Sequence, residues 1–209
     1  PDIARDRLGE LSNELVEKVA SFVSIDTLFK NHVVLYAPSL RPIYGIIEFI
    51  KAIPKVVSEV PNTIFIVVGE GELKEKAMKM VKELGIRDRI LFLGRVSHET
   101  MRFLYSIATV VCDLAYPGTG TTTLEAFCFG KPVIGIRSPK SVITHGVNGF
   151  LIRRGDHEAL ANYIIKILKD PYLRAFLASN ARKSYEEKFS IEKRIKRLYK
   201  LFISLVRSR

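Results

Sequence analysis

Tyr116-Pro117-Gly118-Thr119-Gly120-Thr121-Thr122-Thr123-Leu124-Glu125-Ala126-Phe127-Cys128-Phe129-Gly130-Lys131-Pro132-Val133 follows an apolar run from Thr109 to Ala115. The run reads as a buried strand, the Gly/Thr stretch as a turn, and the segment after it as a helix. Gly130-Lys131-Pro132 then leads into a second apolar run, Val133 to Ile136. The unit is strand, turn, helix, strand, with the turn at the carboxyl end of the first strand. A helix that opens after such a turn offers free backbone N–H groups and the positive end of its dipole to an anion. Thr121, Thr122 and Thr123 add hydroxyl donors, and Gly118 and Gly120 let a phosphate approach the backbone. Glu125 lies one helical turn further on, in reach of hydroxyls on the same ligand. A diphosphate joined to a sugar suits that arrangement; a plain strand–helix turn with a threonine cap is the simpler alternative.

Working outward, short apolar runs alternate with amphipathic stretches. Val33–Ala37, Ile64–Val68, Ile90–Leu93, Val110–Leu114 and Val133–Ile136 read as strands buried on both faces. Helical patterns fill 43–59, 72–84, 98–107 and 121–129. Such alternation predicts an α/β fold: a doubly wound, Rossmann-like parallel sheet with helices on both faces. Right-handed crossovers put the strand ends and their loops on one edge, where ligands of such sheets bind. Gly146 to Leu151 predicts a turn into a last short strand. Helices are expected after the cap Asp156, from Pro171, and after Ser190. Leu8, Leu11, Leu15, Val19 and Val23 mark one face of a further helix near the start.

Length and composition bound the function. The chain of 209 residues is of single-domain size, with 47% hydrophobic and 26% charged residues. No apolar run reaches the ~18 residues that span a bilayer. Cys112 and Cys128 fall in apolar segments without a CxxC partner, so they read as free thiols in a reducing, cytoplasmic setting. The absence of Gln and Trp, with abundant Lys, Arg, Glu and Ile, is a bias common in thermophiles. A net charge of +11 calls for an anionic partner. No zinc-finger spacing or aromatic-basic signature is present, so no nucleic acid is expected. No cluster of metal-ligating residues is visible either, and His32, His98, His145 and His157 are scattered.

The opening segment resembles the donor-binding half of retaining glycosyltransferases of the two-domain GT-B type, the group 1 family. That half carries a segment of the form E-G-F-G-x-x-x-L-E-A-M-A-x-G-K-P-V. Gly118, Gly120, Leu124, Glu125, Ala126, Gly130, Lys131, Pro132 and Val133 keep its register, and Pro117 stands where the first glutamate would. Asn148-Gly149-Phe150-Leu151, Gly155-Asp156-His157-Glu158-Ala159-Leu160-Ala161 and Asp170-Pro171-Tyr172-Leu173-Arg174 are similar to segments that close the same half. The resemblance covers roughly residues 33 to 200. It implies a C-terminal GT-B half over 31–209, with 1–30 a helix and remnant of the interdomain linker, Ser24 to Phe29 looking like the connection itself. The acceptor-binding first half would then lie outside this chain, and Pro1 reads as the start of an excised piece.

The resemblance also implies a donor, a nucleotide-diphosphate sugar, and no separate cofactor. After the first strand the family shows G-R-x-x-x-x-K-G, whose cations neutralise the diphosphate. Here Ser39 replaces the Arg and Tyr44 the Lys, leaving Arg41 as the loop's cation, either a phosphate contact or a solvated arginine. Gly69, Glu70 and Gly71 are similar to the V-G-x-G-P turn under base or ribose, and Gly94, Arg95 and Val96 to the F-L-G-x-V segment that reads the base edge. Ser97 caps the next helix. Gly120, Thr121 and Thr122 are expected to donate to the diphosphate, with Glu125 on ribose hydroxyls. No catalytic residue is assigned, because Pro117 cannot accept a proton. Lys140 is a further candidate contact.

The implied activity is sugar transfer with retention, completed only with the other half. A non-catalytic nucleotide-sugar-binding module and half of a sugar-nucleotide epimerase remain alternatives. A nicotinamide-linked enzyme lacks its glycine fingerprint here. The final stretch from Ser190 sets Ile191, Ile195, Leu198, Phe202 and Leu205 against a crowd of Lys and Arg. It could pack on the other half, stand solvated, or lie on an anionic membrane surface at the inner face.

Overall fold

The computed structural model describes residues 17, 19, 21, 22, 24–118 and 120–207. Its elements are α1 (Ile25–Lys30), β1 (His32–Tyr36), α2 (Ile46–Glu59), β2 (Thr63–Val68), α3 (Lys74–Glu83), β3 (Ile90–Gly94), α4 (His98–Ile107), β4 (Val110–Asp113), α5 (Thr121–Cys128), β5 (Val133–Ile136), β6 (Gly149–Ile152), α6 (His157–Lys169), α7 (Pro171–Ser184) and α8 (Ile191–Arg207). A 3-10 turn, Pro42–Tyr44, precedes α2, and a π turn, Tyr185–Phe189, precedes α8.

The six strands form one sheet in the order β3-β2-β1-β4-β5-β6, with each neighbouring pair parallel. Alternation along each strand feeds two cores. Val34, Tyr36, Phe65, Val67, Val110 and Cys112 pack with α2 and α6 on one face. Val33, Leu35, Ile64, Ile66 and Val111 pack with Phe103 and Leu104 of α4 and Ala126 and Phe127 of α5 on the other. Both faces are covered, which is why these strands read as unbroken apolar runs. The doubly wound parallel sheet expected from the sequence is what the chain forms.

Caps stand where the residue types place them. The Ser97 side chain accepts from Thr100 N at 3.2 Å, Asp156 from Ala159 N at 2.9 Å, and Asp170 from Leu173 N at 2.9 Å. The helix expected over 43–59 is divided: Gly45, at φ 72°, separates the 3-10 turn from α2. A Cβ there would sit 2.7 Å from that of Leu114, so the close approach of α2 to the end of β4 requires glycine. Most of the apolar face expected near the start lies outside the described residues; Val19 of that face is buried. At the other end Ile195, Leu198, Tyr199, Leu201 and Phe202 of α8 are exposed. Among the described residues no helix is long and apolar enough to cross a membrane.

The strand order reverses between β1 and β4, and in open parallel sheets ligands bind outside the carboxyl ends at such a switch point. The loops after β1 and β4 meet there, Tyr116 N donating to Ile43 O at 3.1 Å.

Candidate functional site

The site is built on the junction of β4 with α5. Asp113 ends β4 on the face toward α5, and its carboxylate organises the loop. Oδ1 accepts from Ala115 N at 3.4 Å, while Oδ2 accepts from Gly120 N at 3.3 Å and Thr123 Oγ1 at 2.6 Å. The Thr123 backbone N–H bonds the same carboxylate. Gly120 occupies the cap position of α5 and has no side chain to offer, so Asp113 caps the helix from the neighbouring strand. Burial pushes the Asp113 carboxyl above the usual carboxylate range, against the pull of its hydrogen bonds.

This cap sorts the expected anion donors. Thr123 is buried with its hydroxyl spent on Asp113, and the Gly120 N–H is turned the same way, so two of the expected donors hold the loop instead. Thr121 is exposed and Thr122 half-buried. The first N–H groups of a helix have no intrahelical acceptor, so those of Thr121 and Thr122 remain for an anion. Glu125 is exposed one turn on; its Oε2 accepts from the Tyr105 hydroxyl at 2.9 Å. Burial first, then the Glu125 charge, hold that phenol well above the usual tyrosine range.

Gly118 bridges to Lys140 in a short parallel pairing, and the Ser138 hydroxyl donates to the Pro117 carbonyl. The exposed Lys140 thus rides on the turn that carries Gly118. The Arg154 guanidinium stands over the Tyr116 ring, 5.4 Å from its centroid, adding a cation beside the turn.

Across the crevice three loops are tied together. Tyr36 OH lies 3.2 Å from Ser39 O and 2.9 Å from Tyr44 O, pinning the loop after β1 from inside. Leu40 N donates to Glu70 O at 3.1 Å, Leu73 N to Leu40 O at 3.0 Å, and Gly69 N to Gly94 O at 2.8 Å. Ser39 and Arg41 flank the buried Leu40 and are both exposed. Glu70 pairs with Lys74 at 2.7 Å, and its Oε1 covers Gly94. Arg95 is exposed, whereas Val96 packs against the α4 side of the core.

Two residues that complete this arrangement were not singled out in the sequence. Asp113 carried a signal, as the one charged residue inside an apolar run. Tyr105 carried none, sitting beside Phe103 and Leu104 on the buried side of α4. Lys131 lies apart from the site: its partly buried ammonium donates to Ser106 O at 3.0 Å and ties the α5–β5 turn to α4, and desolvation lowers its pKa. His145 is likewise structural, its Nδ1 accepting from Leu151 N at 3.0 Å. Among the described residues no group of three His, Cys, Asp or Glu could hold a metal ion.

Six parallel strands in this order, with a helix opening after two glycines at the switch point, define a doubly wound, Rossmann-like architecture. The family model for Glycosyl transferases group 1 matches residues 24–184, and the chain belongs to that family. An uncharacterised glycosyltransferase of Methanocaldococcus jannaschii is 29% identical over 196 residues, 91% of this chain and 50% of that protein. N-acetyl-alpha-D-glucosaminyl L-malate synthase of Bacillus anthracis is 29% identical over 84% of this chain and 46% of its own length. The chain thus spans about half the length of these curated relatives. Among solved structures, HepE of Anabaena in complex with UDP-glucose superposes with a TM-score of 0.76 at 25% identity, over 93% of this chain and 54% of that one. The C-terminal domain of the group 1 family glycosyl transferase LpcC from Francisella tularensis shares the fold, with a TM-score of 0.71 at 23% identity over 77% and 87%.

Proposed function

We propose that residues 31–209 are the donor-binding half of a glycosyltransferase that moves a sugar from a nucleotide-diphosphate sugar to an acceptor with retention. Residues 1–30 then belong to the linker, and a further half holds the acceptor. The observation that carries this reading is the opening of α5 at the switch point, with Glu125 one turn beyond it. The N–H groups of Thr121 and Thr122 and the Thr121 hydroxyl receive the diphosphate; Glu125 takes ribose hydroxyls. Gly69, Glu70 and Gly94 to Val96 border the base. The family membership and the UDP-glucose held by HepE support a nucleotide-sugar donor.

Transfer requires the diphosphate to leave with its electrons, so charge grows on its oxygens in the transition state. The helix dipole stabilises that charge without rearranging, and the exposed Arg41 guanidinium swings in to add its own. The donor is the substrate, and no cofactor is assigned. Calorimetric titration with UDP-, GDP- and ADP-sugars tests the reading, with Glu125→Ala as control. Saturable binding of one base, lost in the variant, is the expected result; no binding of any would defeat it.

A second reading, a binding module without transfer, is favoured by Pro117, which cannot take a proton and whose carbonyl is engaged by Ser138. Sugar transfer by the longer protein would exclude it.

A further inference from the structure

We propose that Tyr105 is a positioning residue for the donor site, its single hydroxyl fixing the ribose contact Glu125 relative to the diphosphate contact Thr122. The proposal rests on the donor-site reading above.

Tyr105 reaches the site from α4, and its side chain is 2% exposed. Its ring stacks on Phe129 with centroids 5.7 Å apart and planes at 27°, so the phenol has little freedom. The hydroxyl proton goes to Glu125 Oε2 at 2.9 Å, and the phenol oxygen also bonds the Thr122 side chain. Thr122 and Glu125 stand three residues apart on α5, which puts them on one helix face. A buried, ring-stacked phenol therefore braces both from beneath.

An exposed glutamate on a helix samples several rotamers, and ligand binding must select one. The Tyr105 bond makes that selection beforehand and leaves Oε1 for a ribose hydroxyl, which is preorganisation. The same hydroxyl holds the Thr122 side chain inward and leaves its backbone N–H for the anion. Because burial keeps the phenol protonated, it remains a donor wherever the protein is folded. Removing it should blur recognition of ribose rather than abolish binding.

The test measures binding of UDP, GDP and ADP, each beside its 2′,3′-dideoxy counterpart, to wild type, Tyr105→Phe and Thr122→Val. Wild type should prefer the ribose form of its base by about tenfold or more, the worth of a hydrogen bond to a charged group. Tyr105→Phe keeps the stacked ring and should shrink that preference by roughly fivefold, with dideoxy affinity within about twofold of wild type. Thr122→Val, which leaves Tyr105 and Glu125 in place, should lower the preference in the same direction by about twofold. An unchanged preference in both variants overturns the proposal, as does parallel loss of ribose and dideoxy affinity. If wild type itself ignores the ribose hydroxyls or binds none of the three, the donor-site reading falls, and this inference with it.

Discussion

The Asp113 carboxylate at the end of β4 takes the Thr123 hydroxyl at 2.6 Å, ten residues along the chain and inside the first turn of α5. Strand and helix are thereby locked at the opening of α5, where the proposed donor site lies. Asn at 113 would keep one acceptor but set an amide donor against the Gly120 and Thr123 N–H groups. A loss of about 1–3 kcal/mol is expected, because buried donors are left unpaired.

The pH dependence of that loss has a definite sign. Asp113 has its folded pKa raised, so the folded state holds its proton more tightly than the unfolded state. The stabilising contribution is full below the unfolded value near about 4 and is lost as pH rises through the folded pKa. The gap in melting temperature between wild type and Asp113→Asn should therefore narrow as pH is raised from about 4. Thermal melts of both proteins across that range check it; a widening gap would place the folded pKa below the unfolded one.

Why the strands were legible and this cap was not follows from the physics of each. A strand covered on both faces must be apolar throughout, so Val33 to Tyr36 and Val133 to Ile136 announce themselves locally. Ser97, Asp156 and Asp170 cap helices through residues three positions away, again a local relation. Asp113 caps across ten positions of chain and Tyr105 meets Glu125 across twenty, so neither relation has a period or spacing to reveal it. The three threonines looked equivalent as letters. Only the turn of α5 over Asp113 distinguishes the buried Thr123 from the exposed Thr121. The break at Gly45 within 43–59 depends on Leu114, a contact made only when β4 is in place.

Arg41 is exposed, and among the described residues its guanidinium has no hydrogen-bond or ion-pair partner. It can therefore swing to a diphosphate without breaking an existing bond. Arg41→Ala should weaken binding of a nucleoside diphosphate by about tenfold at low salt. Because the contribution is one of exposed charge, the difference should shrink as salt shortens the screening length. Calorimetry in low and high salt measures both, and thermal stability should stay within about 0.5 kcal/mol of wild type.

Cys112 lies in the centre of β4, wholly buried, and burial pushes its thiol far above the usual range. A thiol reagent requires the thiolate and access to it. Cys112 should stay unmodified in the native protein even at mildly alkaline pH, and react once denaturant exposes it. Native labelling followed by mass spectrometry decides the point. Cys128 is half-buried and serves as the internal comparison.

Gly71 and Gly120 separate packing from ligand access. A Cβ on Gly71 would lie 2.3 Å from Leu40 O, and both partners are backbone, so the loops after β1 and β2 must part. Gly71→Ala should cost about 1–3 kcal/mol of stability, the usual penalty for overpacking. A Cβ on Gly120 meets nothing closer than Asp113 Oδ2 at 3.9 Å, and its φ of −88° suits any residue. Gly120→Ala should therefore fold with a loss under about 1 kcal/mol. Its methyl group nevertheless stands at the mouth of α5, where a phosphate needs bare backbone. Denaturant unfolding and nucleotide titration of both variants should give one protein weakened in stability and one weakened chiefly in binding. If Gly120→Ala binds as tightly as wild type, the anion does not sit at the opening of α5.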